Sequence, residues 1–337
     1  MTDDYLWDPT AAPDPEIARL EALLRPLAYK PEPLRVDTVA PPTAHIRYRR
    51  WLAAAAALII VSAGVIMARQ TPTVAPWQVA VRHGAPVVRT ADGDLSRGAL
   101  TSGGAVETDA RSSARLSVGR IGTVDLAPGS RLRLLDAGAS EHRLSLERGS
   151  MHAIIDAPPR YFLVETASAL AVDLGCVYTL SVDERGNGML VVEEGEVELE
   201  RGDVRAAVLA GNSAAIRAGK GPGLPYPTSA SVSLQRAVAA YDADPAGVGA
   251  LDAVLAATDR RSTITLWHLL RRETPAARVR VYERLASLAP PPASVARDRV
   301  LRGESGALQR WRTELQPEWI TEPPRWKHLL NNLRRMW

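Results

Sequence analysis

Apolar positions follow three different rhythms along the 337-residue chain. Near the start, Ile17, Leu20, Leu23, Leu24 and Leu27 recur at helical spacing and make one apolar stripe on an otherwise charged segment. Asp14-Pro15-Glu16 supplies a cap and a first-turn proline, and Pro31 and Pro33 end the helix. From Trp77 to about Ala218 the rhythm is alternation. Arg115-Leu116-Ser117-Val118, Arg131-Leu132-Arg133-Leu134 and Arg143-Leu144-Ser145-Leu146 each put apolar residues on one strand face. Phe162–Glu165, Leu170–Leu174, Val177–Val182, Leu190–Val192 and Val197–Leu199 continue the series. Pro128-Gly129-Ser130, Arg148-Gly149-Ser150, Asp183 to Gly188 and Glu194-Gly195 read as turns between them. Many short strands so spaced predict an antiparallel sandwich, jelly roll or related β stack over residues 77–218.

After a Gly/Pro-rich linker at 219–231, the helical rhythm returns over residues 232–337. Leu251, Val254 and Leu255, then Leu266, Leu269 and Leu270, then Val279, Tyr282 and Leu285 mark successive helices. Thr274-Pro275 is a cap and first-turn pair, and Pro290-Pro291-Pro292 stops that helix. Trp267, Trp311, Trp319, Trp326 and Trp337 fall in this tail, where tryptophan packs helix pairs or, exposed, forms a protein- or glycan-binding face.

One stretch has no polar rhythm at all. Leu52 to Ala68, LAAAAALIIVSAGVIMA, carries no charge in 17 residues. As a helix it is about 26 Å long, close to the hydrocarbon thickness of a bilayer. Arg47, Arg49 and Arg50 precede it, with Trp51 at the interface, whereas Arg69 alone follows until Arg82. Basic residues stay on the cytoplasmic side, so residues 51–69 are expected to cross a bacterial inner membrane once, N-terminus inside and C-terminal domains periplasmic. A cleaved signal peptide would begin nearer residue 1, and a buried soluble helix is the remaining rival.

Residues 1–46 are then a cytoplasmic arm, too short and polar for a substantial core. An isolated amphipathic helix there serves a protein partner, the membrane surface or its own dimer mate. Acid at its start and a balanced polar face disfavour anionic lipid. Protein docking through Ile17, Leu20, Leu23, Leu24 and Leu27 is preferred over a silent arm.

Charge changes the picture only locally. Net charge is +3, but residues 232–337 hold 17 basic against 11 acidic groups. That excess suits an anionic surface or, more simply, a solvated helical face, and no direct nucleic-acid contact is expected. A single cysteine, Cys176, excludes an intramolecular disulfide framework and a cysteine-based zinc site.

The order Gly98, Glu107-Thr108, Ser112 to Val118, Leu126-Ala127-Pro128-Gly129-Ser130-Arg131-Leu132 resembles the first half of a FecR domain. Leu146-Glu147-Arg148-Gly149-Ser150, Phe162 to Thr166, Val172, Gly175 and Val191 to Val197 resemble the second half. The resemblance covers about residues 77–218. Gly119-Arg120-Ile121-Gly122 replaces the usual Asp-Gly turn, and Gly175-Cys176 the usual Gly-Thr pair. The family implies a periplasmic module that relays a signal to a cytoplasmic transcription apparatus, often an extracytoplasmic-function sigma factor. The arm does not show the full helical anti-sigma domain of iron-transport regulators.

No catalytic pattern emerges. Gly303-Glu304-Ser305-Gly306 misses the spacing of a nucleophile elbow, and Gly219-Lys220-Gly221 lacks the rest of a phosphate loop. His83, His142, His152 and Cys176 have no spacing that demands a metal. The acidic run Glu193 to Glu200 reads as a solvated hairpin face before it reads as a calcium site. No enzyme activity, cofactor or metal is expected. The two function classes are a membrane sensor/regulator and a structural scaffold of the cell envelope binding other proteins or glycans.

Overall fold

The computed structural model describes residues 15–27, 76–93, 98–138 and 140–321. The uncharged segment 52–68, its flanks Arg47, Arg49, Arg50 and Trp51, and Trp326 and Trp337 lie outside the described residues. Among the described residues no helix is long and apolar enough to cross a membrane.

The N-terminal unit contributes one described helix, α1 (Pro15–Leu24), which tightens into a 3-10 turn at Arg25–Leu27. It starts at the proline that the sequence marks as a helix opener.

The β region holds β1 (Trp77–His83), β2 (Val87–Arg89), β3 (Ala99–Leu100), β4 (Ala105–Glu107), β5 (Ser113–Val118) and β6 (Gly122–Leu126). Next come β7 (Arg131–Ala137), β8 (His142–Ile155), β9 (Phe162–Glu165), β10 (Leu170–Asp173), β11 (Val177–Val182) and β12 (Gly188–Glu194). Then follow β13 (Glu196–Arg201), β14 (Val204–Leu209), β15 (Asn212–Arg217), β16 (Gly221–Pro222) and β17 (Tyr226–Pro227). One sheet runs β3-β1-β5-β6-β8-β11-β12-β15, with β16 and β17 both pairing to β15. The other runs β2-β4-β7-β8-β9-β10-β13-β14. Pairing is antiparallel throughout except for β8 with β9, which is parallel.

Strand β8 belongs to both sheets. Its residues 142–148 pair with β7, and 149–154 pair with β11. The strand changes sheet at Gly149, whose φ of 90° is open to glycine and strained for other residues. Arg148-Gly149-Ser150, read from the sequence as a turn, is therefore a bend inside one long strand. A left-handed glycine serves either purpose, and the partners on both sides decide which. Ser130 pins the bend: its Oγ accepts from the Ser150 N–H at 2.9 Å and donates to the Ser150 carbonyl at 3.2 Å.

Alternation along the strands sends Leu116, Val118, Leu132, Leu134, Leu144, Leu146, Leu180, Leu190 and Leu199 into one core between the sheets. Each such side chain contributes about 1.5–3 kcal/mol on removal from water.

The C-terminal region is helical: α2 (Val232–Ala243), α3 (Ala250–Ala257), α4 (Thr263–Arg272), α5 (Pro275–Leu288), α6 (Arg297–Leu301) and α7 (Ser305–Trp319). Thr274 caps α5 by accepting from the Ala277 N–H, with Pro275 in the first turn. The helix ends at Leu288, just short of the proline run. Trp267, Trp311 and Trp319 are buried in a second core with Leu266, Leu269 and Leu285, the helix-packing role and not an exposed binding face.

The two cores share a wall. Along β14, Ala206 and Val208 face the sandwich while Ala207 and Leu209 face the helices. The stretch 219–231, read as a linker, is built into that wall. Gly221 to Pro225 are buried, and β16 and β17 add to the edge of β15. Its prolines hold an extended backbone and its glycines admit close approach, properties that suit a packed edge as well as a free tether.

Candidate functional site

Two places bear on function: the apolar stripe of α1 and the seam between sandwich and helices. On α1, Leu20, Leu23 and Leu24 are 58%, 69% and 59% exposed. The side chains of Ile17 and Leu27, the other two expected docking residues, lie outside the described ones. A stripe of three exposed leucines is apolar surface that water does not favour, and it suits burial against a partner.

At the seam, a buried histidine joins strand to helix. His268 lies in α4 within the apolar run Leu266-Trp267-His268-Leu269-Leu270 and is 2% exposed. Its Nε2 accepts from the Ala207 N–H of β14 at 3.1 Å. That leaves the proton on Nδ1, which donates to the Ile264 carbonyl at 2.9 Å. Burial, with the nearby Arg272 charge, pushes its pKa down to about 3, so the ring is neutral.

Four further ties join the same surfaces. Asn212 opens β15, and its Nδ2 donates to the carbonyls of Leu209, Ala210 and Trp319 at 3.1, 3.2 and 2.8 Å. Arg312 of α7 pairs with Glu196 of β13 at 2.7 Å and stacks over Trp267. Arg272, at the end of α4, donates to the carbonyls of Pro222, Gly223 and Arg205 at 3.1, 3.0 and 3.3 Å. Asp242, near the end of α2, accepts from the Leu224 N–H at 3.0 Å, and burial lifts its pKa to about 6. The helical region is thus bolted to strands β13 to β16 by buried polar contacts, each of which is costly to leave unmade.

The residues considered for metal binding take separate roles. His142 is buried, set edge-on between Trp77 and Tyr161, and burial lowers its pKa. His152 faces Glu193 at 3.4 Å. His83 is exposed. The Cys176 thiol donates to the Glu196 carbonyl at 2.6 Å, and burial pushes its pKa up. Among the described residues no cluster of three or more His, Cys, Asp or Glu is placed to hold a metal. Much of the acidic run is spoken for: Glu196 by Arg312, Glu198 by Arg205, and Glu200 by Arg160 and Arg205.

Sequence reasoning singled out none of His268, Asn212, Asp242, Arg272 and Arg312. The only available signal was a polar residue inside an apolar helical run, and that held for His268 alone.

Comparison with known proteins agrees with the β region. No curated protein matches the chain. Two crystal structures described as a "putative anti-sigma factor from Parabacteroides distasonis" are 15% identical to it, with a TM-score of 0.33. Those matches cover 40% of this chain and 64% of theirs. The family model for FecR protein matches residues 104–217, from the start of β4 to the end of β15. The two-sheet sandwich accordingly contains a FecR domain.

Proposed function

We propose that the chain is a non-enzymatic single-pass membrane regulator. Its FecR-type domain, outside the cytoplasmic membrane, relays an envelope signal to a cytoplasmic protein, a sigma factor of the extracytoplasmic-function type. The stripe of Leu20, Leu23 and Leu24 on α1 is the observation that carries this reading, because a short helix with three exposed leucines needs a surface to bury them. The uncharged segment 52–68 with Arg47, Arg49, Arg50 and Trp51 before it supports the topology. The FecR domain supports a regulatory role for the body of the chain.

An envelope scaffold binding proteins or glycans is the second reading. Its main support was a tryptophan-rich face, and burial of Trp267, Trp311 and Trp319 removes that support for three of the five residues.

The test is cross-linking and pull-down from membranes with the intact protein, a variant lacking residues 1–46, and the double substitution Leu20→Glu with Leu24→Glu. A sigma factor recovered with the intact protein and lost from both variants is the expected result. Equal recovery from all three rules out docking through α1. A reporter enzyme fused after Trp337 that behaves as cytosolic rules out the topology.

A further inference from the structure

Beside the seam lies a cleft of about 370 Å³, within the range of small-molecule sites. It is bounded by β14, the turn from β15 into β16, the end of α2 and the end of α4. Its walls carry Arg205, Arg217, Lys220, Arg271 and Arg272, against the carboxylates of Asp203 and Asp242.

Four of these bases have no carboxylate in direct contact among the described residues, and Asp242 acts on Arg217 and Arg272 only from a distance. Elsewhere many arginines pair with carboxylates, as in Arg115 with Asp125, Arg143 with Glu165, and Arg260 with Glu318, while Arg278 and Arg284 stand singly on backbone carbonyls. Within the cleft, Arg205 pairs with Glu198 and Glu200. Arg217, Lys220, Arg271 and Arg272 form no ion pair among the described residues. Arg217 and Lys220 donate to the Ala239 and Ala243 carbonyls at the end of α2. Arg272 takes its three carbonyls from the opposing strands, and Arg271 lies over the Trp267 ring at 5.2 Å. Carbonyls and a ring face satisfy donors but leave net positive charge, and four such heads around one concavity repel each other unless an anion enters. Asp242 offsets only part of this charge: it acts on Arg272 and Arg217 without a direct ion pair to either, is 7% exposed and accepts from the Leu224 N–H, with its second oxygen packed toward Gly223.

We propose that this cleft binds a small molecule through an oxyanion group, a phosphate or a carboxylate, held among Arg217, Lys220, Arg271 and Arg272. The inference is independent of docking through α1. Because the cleft has walls from both the sandwich and the helices, an occupant bridges the two.

The test uses full-length protein in detergent, with inorganic phosphate and succinate as separate calorimetric probes. Heat of binding with either probe supports the site, and the probe that binds more tightly names the oxyanion class. The double substitution Arg271→Glu with Lys220→Glu reverses two exposed heads and spares the carbonyl contacts of Arg272. It is expected to weaken binding by at least about tenfold, with thermal unfolding confirming that the variant is folded. Arg310→Glu, an exposed base outside the cleft, is expected to leave affinity unchanged. No binding of either probe at millimolar concentration, unchanged affinity in the double variant, or an equal loss in Arg310→Glu overturns the proposal.

Discussion

The imidazole of His268 accepts the backbone N–H of Ala207 at 3.1 Å, so a strand of the sandwich completes the hydrogen bonding of a helix buried beside it. That bond exists only while Nε2 is unprotonated, and the Nδ1 proton is committed to Ile264. The attachment between the two regions therefore depends on the ionisation of one histidine.

Acid should weaken it. The folded-state pKa of His268 lies at about 3, below the ordinary histidine value, so the unfolded chain binds this proton first. The contribution is present above about pH 6.5 and is lost progressively as pH falls toward about 3. Buried Asp242 and Asp173, both lifted to about 6, act in the opposite sense over part of the same range. A comparison with His268→Gln isolates the histidine. The stability advantage of the natural protein over that variant should shrink by about 3 kcal/mol between about pH 7.5 and about pH 4.5, measured by denaturant unfolding.

Asp242 gives the reverse dependence. Its raised folded pKa means that stability is present at low pH and lost as pH rises through about 6. Asp242→Asn keeps an oxygen for the Leu224 N–H without a buried charge. It should be more stable than the natural protein by up to about 3 kcal/mol at about pH 8 and indistinguishable at about pH 3. Parallel curves for the two proteins would contradict this.

Gly149 should tolerate no side chain. A Cβ there would stand 2.4 Å from the Ser130 Cα, on a backbone at φ 90°. Gly149→Ala is expected to cost about 3 kcal/mol or more, from overpacking and left-handed strain together. Calorimetric unfolding reads the loss. Gly129→Ala, with no neighbour within 4 Å of its would-be Cβ, should cost less.

Asn212 should be more sensitive to charge than to truncation. Its amide nitrogen faces three carbonyls, so Asn212→Ala leaves the Trp319 carbonyl short of a donor, at a cost of about 1–3 kcal/mol. Asn212→Asp replaces the donor with an acceptor against the same oxygens and should be worse at neutral pH. Equal unfolding midpoints for the two variants would exclude the arrangement described.

Legibility from sequence varied with the range of the interactions involved. The alternation of Leu132 and Leu134, or of Leu144 and Leu146, is a property of neighbouring residues, and both pairs lie in the core as expected. Thr274-Pro275 likewise sets a helix start by local chemistry, and α5 begins there. Gly149 was misread because its local signature is that of a turn. Its role comes from Ser130 and from the pairing of β8 with β7 and β11. The stretch 219–231 was misread for a related reason, since the same glycines and prolines serve a tether or a tightly packed edge.

What the sequence determined by itself was the succession of elements: the leucine stripe near the N-terminus, the alternating β region and the capped helices beyond it. These follow from side-chain periodicity and backbone preference, which act over a few residues. Only the tertiary structure decided that β14 has a core on each face, that His268 finds its donor 61 residues away, and that Arg217, Lys220, Arg271 and Arg272 surround one cleft. Those arrangements depend on which distant segments share a surface, and burial then sets the charge states of His268 and Asp242.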